Sequence, residues 1–286
     1  MVYRKALECK RTLKETQITS CALDKESKPT DEALIGIAKS IERSVKDDRF
    51  LGVINISKQG ADTSIPNMCM LSDGSFCLAQ FSDSQIIKID DNLKLSDTFT
   101  TKSNVWGICA ISEREIAFTM PKLMKVQFLV FDTNPVLKSS FCTNMHCRGI
   151  AYCNDNMYVA GGGFLGEESG QINIFDLKGK LLYRFENYSD GPFVNIPRSV
   201  IANTKYIYIT DCQNGVICLD LHGKRHWVLK NAKCEYPWGI CFTPNANILI
   251  AGHKSNNISV VSEDGELLGE LLDKNDGISV TEGCQH

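Results

Sequence analysis

The chain is 286 residues long, 43% hydrophobic and 23% charged, with a formal net charge of −3. That is ordinary globular composition, with room for one large domain and an appendage, and it excludes a disordered chain. The slight negative charge argues against wholesale electrostatic attraction to nucleic acid, and no run approaches the 18 or more apolar residues of a spanning helix, so no membrane partner is expected.

The N terminus, MVYRKALECKRTLKE, is charged where a signal peptide needs an apolar core. A weak helix is predicted over 3–14, followed by the linker TQITSCALDKESKP and a stronger helix over 30–47. Thr30 or Asp31 can cap that helix, and Leu34, Ile37, Ala38, Ile41 and Val45 recur at helical spacing on one face. This apolar stripe either packs on the neighbouring domain or ends a coiled coil, and Leu34, Ile37, Ile41 and Val45 are candidates for self-association. The division is therefore 1–47, helical and linker, and 48–286, a repeat domain.

The repeat domain announces itself through NVWGICA at 104–110 and YPWGICF at 236–242, which place two of three tryptophans before the same triplet. Further copies begin at IPNMCML, CRGIAYC and IPRSVIA, and aligning them puts Asn67, Trp106, Arg148, Arg198 and Trp238 at equivalent positions. A later turn aligns at Asp90, Asp132, Asp176, Asp220 and Ser262, at intervals of 42, 44, 44 and 42 residues. Within each copy the runs are short and alternating, as in Ile207-Tyr208-Ile209-Thr210, and the breaks carry turn chemistry, as in Lys178-Gly179-Lys180 and His222-Gly223-Lys224. Four strands in about 40 residues is a β-propeller blade, so the fold class is all-β. Five blades fill roughly residues 57 to 272. Gly277-Ile278-Ser279-Val280 reads as the inner strand of an incomplete sixth, and 50–56 as an outermost strand that would close the ring. The ends fit either a five-bladed ring with frayed termini or a six-bladed ring with a truncated last blade; the sequence pattern favours the second.

The thirteen cysteines are scattered, odd in number and mostly within strand patterns, as expected of reduced buried thiols in a cytoplasmic protein. Cys142, His146, Cys147 and Cys153 come nearest to a metal cluster, but two would have to leave a strand to meet, so no metal is expected. His222, His226 and His253 flank turns or lie in polar loops and read as solvent-exposed. VAGGGFLGEESG at 159–170 lacks the strand-to-helix context of a phosphate loop; with ENYSDGPFVN at 186–195 it lengthens the third repeat and offers contact loops.

The pattern Pro-x-Gly-Ile, a Gly- or Asn-containing turn, an apolar strand, and Ile-x-Val/Phe-Asp before a Gly turn resembles the NHL repeat. The segment 237–265 is the best copy. Over 48–272 the chain resembles the C-terminal propeller of invertebrate tripartite-motif-like proteins, in which a RING finger, a B-box and a coiled coil come first. The resemblance implies an interaction module in a ubiquitin-ligase-type setting. No Cys/His spacing here makes a RING or a B-box, so ligase chemistry is not assigned to this chain.

Gly107, Gly149 and Gly239 read as scaffold, allowing close approach where inner strands crowd the axis. The residue before each should face the central opening. Asn67, Trp106, Arg148, Arg198 and Trp238 are therefore the candidate binding residues; tryptophan and arginine dominate interface hot spots, although indoles there can also plug the channel. The expected function is non-enzymatic recognition of a protein partner, without a cofactor. The alternative is single-stranded RNA on the same face, which needs Arg148, Arg198 and nearby lysines in one basic surface. A propeller hydrolase with an axial divalent metal ranks last, because Asn67 has no matching acidic set.

Overall fold

The structure is a computed structural model that describes residues 64–163, 169–185, 187, 188, 191, 192 and 194–276. These form five four-stranded antiparallel sheets, each a meander in which sequential strands pair. The first blade is β1 (Asn67–Met70), β2 (Phe76–Gln80), β3 (Gln85–Ile89) and β4 (Leu95–Thr100); the second is β5 (Ile108–Ala110), β6 (Glu115–Met120), β7 (Lys125–Phe131) and β8 (Pro135–Cys142). The third is β9 (Cys147–Cys153), β10 (Asn156–Gly161), β11 (Gln171–Asp176) and β12 (Leu181–Phe185), followed by a small hairpin of β13 (Asn187–Tyr188) and β14 (Gly191–Pro192). The fourth is β15 (Pro197–Ala202), β16 (Tyr206–Asp211), β17 (Gly215–Asp220) and β18 (Arg225–Leu229); the fifth is β19 (Pro237–Phe242), β20 (Ile248–Gly252), β21 (Asn257–Val261) and β22 (Leu267–Leu272).

Successive first strands pack on one another, β1 on β5, β5 on β9, β9 on β15 and β15 on β19, which makes them the inner strands of a β-propeller. The fourth strands lie outermost and are largely exposed, as at Leu181, Leu182 and Tyr183 of β12. Central strands are buried on both faces, and from the second blade to the fourth each sheet is covered by the blade before and the blade after. Period-two alternation then divides one strand between two cores. Ile207 and Ile209 of β16 join Tyr158, Ile172 and Ile174 of the third blade, whereas Tyr208 between them joins Ile248, Ile250 and Val261 of the fifth.

The turn between third and fourth strands explains the repeat interval. Asp176 Oδ1 accepts from the N–H groups of Lys178 and Lys180, and Asp220 Oδ1 does the same for His222 and Lys224. Asp90 clamps Asn92 and Lys94 in the same way, and Ser262 Oγ accepts from Glu266. Gly179, Gly223 and Gly265 sit in these turns at φ 84 to 86°. Each is also roofed by an aromatic from the outer strand of the preceding blade: a Cβ would strike Phe141, Phe185 and Trp227 respectively. One glycine thus serves the left-handed turn and the blade-to-blade seam.

The helices predicted over 3–14 and 30–47, the closing strand at 50–56 and the sixth-blade strand at 277–280 lie outside the described residues. Among the described residues, helix is confined to three single 3-10 turns, and no helix is long and apolar enough to cross a membrane.

Candidate functional site

The five equivalent positions fall at or just before the entrance of the inner strands, and the backbone there is irregular in a repeated way. Register shifts between Pro197 and Ser199 in β15 and between Pro237 and Gly239 in β19, so Arg198 and Trp238 are the extra residues of β-bulges. Arg148 lies in a similar shift of β9 against β10. A bulge bends its strand and re-aims one side chain, which here turns those residues to the axis. Trp106 precedes β5 and is held by its N–H on Thr119 O at 3.1 Å.

Two threonines complete this frame. Thr119 Oγ1 accepts from Gly107 N–H and donates to Arg148 O, both at 2.8 Å. Thr210 Oγ1 accepts from Ser199 N–H at 3.0 Å and donates to Trp238 O at 2.9 Å. Each hydroxyl ties its own inner strand to the carbonyl of the next blade's axial residue. The close approach expected of the glycines holds at Gly107, where a Cβ would collide with Arg148 O, and at Gly149, where it would lie 2.7 Å from Ser199 Cα. At Gly239 a Cβ would meet Ala251 Cβ at an ordinary 3.5 Å.

Three of the five candidates meet directly. The indoles of Trp106 and Trp238 stack at 6.2 Å between centroids, and the Arg198 guanidinium lies over both, 5.4 and 5.2 Å from their centres. Phe81 packs edge-on against Trp106 at 5.5 Å. Asn67 reaches across to Ser199, next to Arg198, through a weak 3.4 Å hydrogen bond. Arg148 lies close enough to Arg198 that burial, reinforced by the like charge, pulls it down to about 10; it donates to Gly162 O at 2.7 Å and Pro197 O at 3.1 Å.

The arginines are not laid out as a basic surface: Arg148 is 4% exposed and Arg198 5%. Arg198 spends its Nε–H on Cys212 Sγ at 3.1 Å. Asp211, fully buried beside them, accepts from the N–H groups of Asn195 and Ile196 with one carboxylate oxygen and from those of Gln213 and Asn214 with the other. It anchors the lengthened loop of the third repeat, which also bridges through Gly170 and Val194.

His253 departs from its sequence reading. Its ring lies 4.4 Å from that of Trp238 and 5.9 Å from that of Tyr236, and both its nitrogens are buried without a hydrogen-bond partner, as is Trp238 Nε1. Burial, helped by the charges of Arg198 and Lys254, lowers its pKa, so the ring is neutral at neutral pH. The sequence carried no periodic signal for it, because no other repeat has histidine at that point; the polar run HKSNN reads as loop and hides an aromatic contact made across the blade. His222 and His226 are exposed as expected, the latter stacked on Tyr206. Cys142 is exposed at the end of β8, whereas Cys147 is buried in β9, where desolvation pushes its thiol up to about 11.

With this geometry in view, comparison with solved structures places the chain among propellers. A protein from the crystal structure of a nidogen/laminin complex matches over 75% of this chain and 82% of its own, with TM-score 0.61 and 15% identity. Virginiamycin B lyase from Staphylococcus aureus matches over 73% of this chain and 70% of its own, with TM-score 0.56 and 15% identity. A streptogramin B lyase structure gives TM-score 0.57 and 16% identity over 73% and 69%. The chain is a β-propeller. At such identity the likeness carries the fold alone, and it spans both a protein complex and a lyase. No family model matches the chain, and no curated protein matches it.

Proposed function

We propose that this propeller is a non-enzymatic recognition module that binds a protein partner through its axial face, in an NHL-type, tripartite-motif-like and cytoplasmic setting. The observation that carries the reading is the triangle of Trp106, Arg198 and Trp238, supplied by three different blades and edged by buried polar atoms without partners. Tryptophan and arginine side chains held rigid before binding lose little entropy on contact, which is why they dominate hot spots. Partial exposure of both indoles leaves them within reach of a partner. Among the described residues no three His, Cys, Asp or Glu side chains are grouped as metal ligands would be.

The RNA reading loses support from the burial of Arg148 and Arg198, which sit within the axial cluster and do not form the broad basic face that tracking a run of phosphates needs. The test is capture from cell lysate with ribonuclease, identification of retained proteins, and reconstitution with each purified. Binding that survives ribonuclease and falls by about a hundredfold in Trp106→Ala/Trp238→Ala is expected, the loss of two hot-spot side chains. Retention of RNA, or of proteins lost with it, would contradict the reading.

A further inference from the structure

We propose that the axial cluster is a carboxylate receptor, in which the Arg198 guanidinium and the Trp238 indole N–H take an acidic group of the protein partner. This deepens the axial recognition reading and rests on it.

The argument begins with what Arg198 lacks. Its Nε–H is committed to Cys212 Sγ, two indoles fix its plane, and no described atom accepts from its two Nη groups. A guanidinium only 5% exposed is costly to bury without a counter-ion. Cys212 does not supply the charge, because burial raises its thiol and keeps it protonated in spite of Arg198. Asp211, the neighbouring carboxylate, already accepts four backbone N–H groups, and its single negative charge acts on Arg148, so it does not balance two buried guanidiniums. Arg148 adds a second positive charge within reach.

The second observation is independent of the first. Trp238 Nε1 is a donor only, and it is buried with nothing to accept from it; neutral His253, packed on the same ring, has one donor and one acceptor nitrogen, both without partners. The groups without partners at the Trp238 ring are thus two donors, the indole N–H and one His253 nitrogen, against one His253 acceptor, with the Arg198 guanidinium over the same ring. The complementary ligand is an acceptor-only group that carries negative charge. A planar carboxylate suits the two parallel Nη–H groups of an arginine, and its source is either an Asp or Glu side group or the terminal carboxylate of a polypeptide. A polyanion such as RNA is disfavoured by the depth of the guanidinium and the protein's net charge of −3.

The test uses the full-length protein and an array of 12-residue peptides. Each Asp- or Glu-containing peptide is paired with its Asn or Gln counterpart, each free C terminus with its amide, and a 12-nucleotide oligouridine is run alongside. Expected is a preference for acid over amide of about tenfold or more, in the side-group arm or the C-terminal arm, the discrimination of one charge-assisted contact. Arg198→Lys should abolish the preference. Trp238→Phe, which keeps an aromatic ring but removes the N–H together with the pyrrole half of the indole, should weaken acidic peptides about fivefold or more and their amide counterparts less, and it serves if the lysine variant fails to fold. Equal capture of acid and amide forms, lost in Trp106→Ala/Trp238→Ala, would overturn the carboxylate receptor and leave axial recognition standing. Capture indifferent to every axial variant would overturn both. Capture of no peptide, so that the polar atoms hold only water, or of oligouridine in preference to every acidic peptide, would also overturn the receptor.

Discussion

At the scale of single residues, burial decides which groups react. Desolvation drives the Cys218 thiol up to about 12 and Cys147 to about 11, whereas Cys142 is exposed on the outer strand of the second blade. Thiolates, not thiols, are alkylated, so a short iodoacetamide pulse on the native protein should label Cys142 well ahead of Cys147 and Cys218, read by peptide mass spectrometry. Equal labelling would mean the blades open on that timescale. His253 makes a pH prediction with a definite sign. Its folded pKa lies below the unfolded value, so the unfolded protein binds more protons in the window between them. Its contribution is complete above the unfolded histidine pKa and is lost as pH falls through the folded one. Urea midpoints should therefore drop from neutral pH toward pH 5, and less steeply in His253→Asn; parallel slopes would contradict the buried placement.

At the scale of elements, each blade is held to the next by a few repeated devices that are not equally visible in sequence. The Asp and Gly of the outer turns stood out at fixed intervals, because a left-handed turn and an Asp clamp leave few residue choices. The equivalence of Asn67, Trp106, Arg148, Arg198 and Trp238 was readable for the same reason, since the Gly-Ile pair that follows marks the register. Thr119 and Thr210 were not readable. They sit in runs, IAFTM and IYITD, where threonine is simply a good strand former, and the other blades carry Ala79, Ala160 and Ala251 there. Their role appears only once the neighbouring carbonyl is in place. Thr119→Val, nearly isosteric, should cost about 1–3 kcal/mol in urea unfolding, because it leaves Gly107 N–H and Arg148 O without their partner. Gly107→Ala should destabilise by a similar amount or abolish folding, while Gly239→Ala should be milder, since only Ala251 Cβ at 3.5 Å is met. A reversed order would show that the inner strands do not crowd as described.

For the whole molecule, the architecture was legible because a propeller repeats one hairpin-rich unit, and errors in one copy are corrected by the next. The candidate site was legible only in part, because it depends on what the propeller brings together across great sequence distances. Trp106 and Trp238 are 132 positions apart and touch through the axis, with Arg198 from a third blade over both. The sequence placed Arg148 and Arg198 at the central opening but carried no signal that the axial indoles would enclose one of them. That enclosure changes the character of the face, from a broad basic surface to a small aromatic frame around one buried charge. The structural neighbours range from a nidogen/laminin complex to virginiamycin B lyase, so the fold by itself does not say what this chain does.

The central claim is that a partner binds at this frame, and the tryptophans themselves report on it. The protein has three, of which Trp227 packs against a turn of the fifth blade, away from the axis. In Trp227→Phe only Trp106 and Trp238 emit. Titrating this variant with a reconstituted partner, or with the tightest peptide from the array, should shift or quench emission with the midpoint found by calorimetry. Calorimetric binding with unchanged emission would contradict the account, because the partner would then be docking somewhere other than the axis.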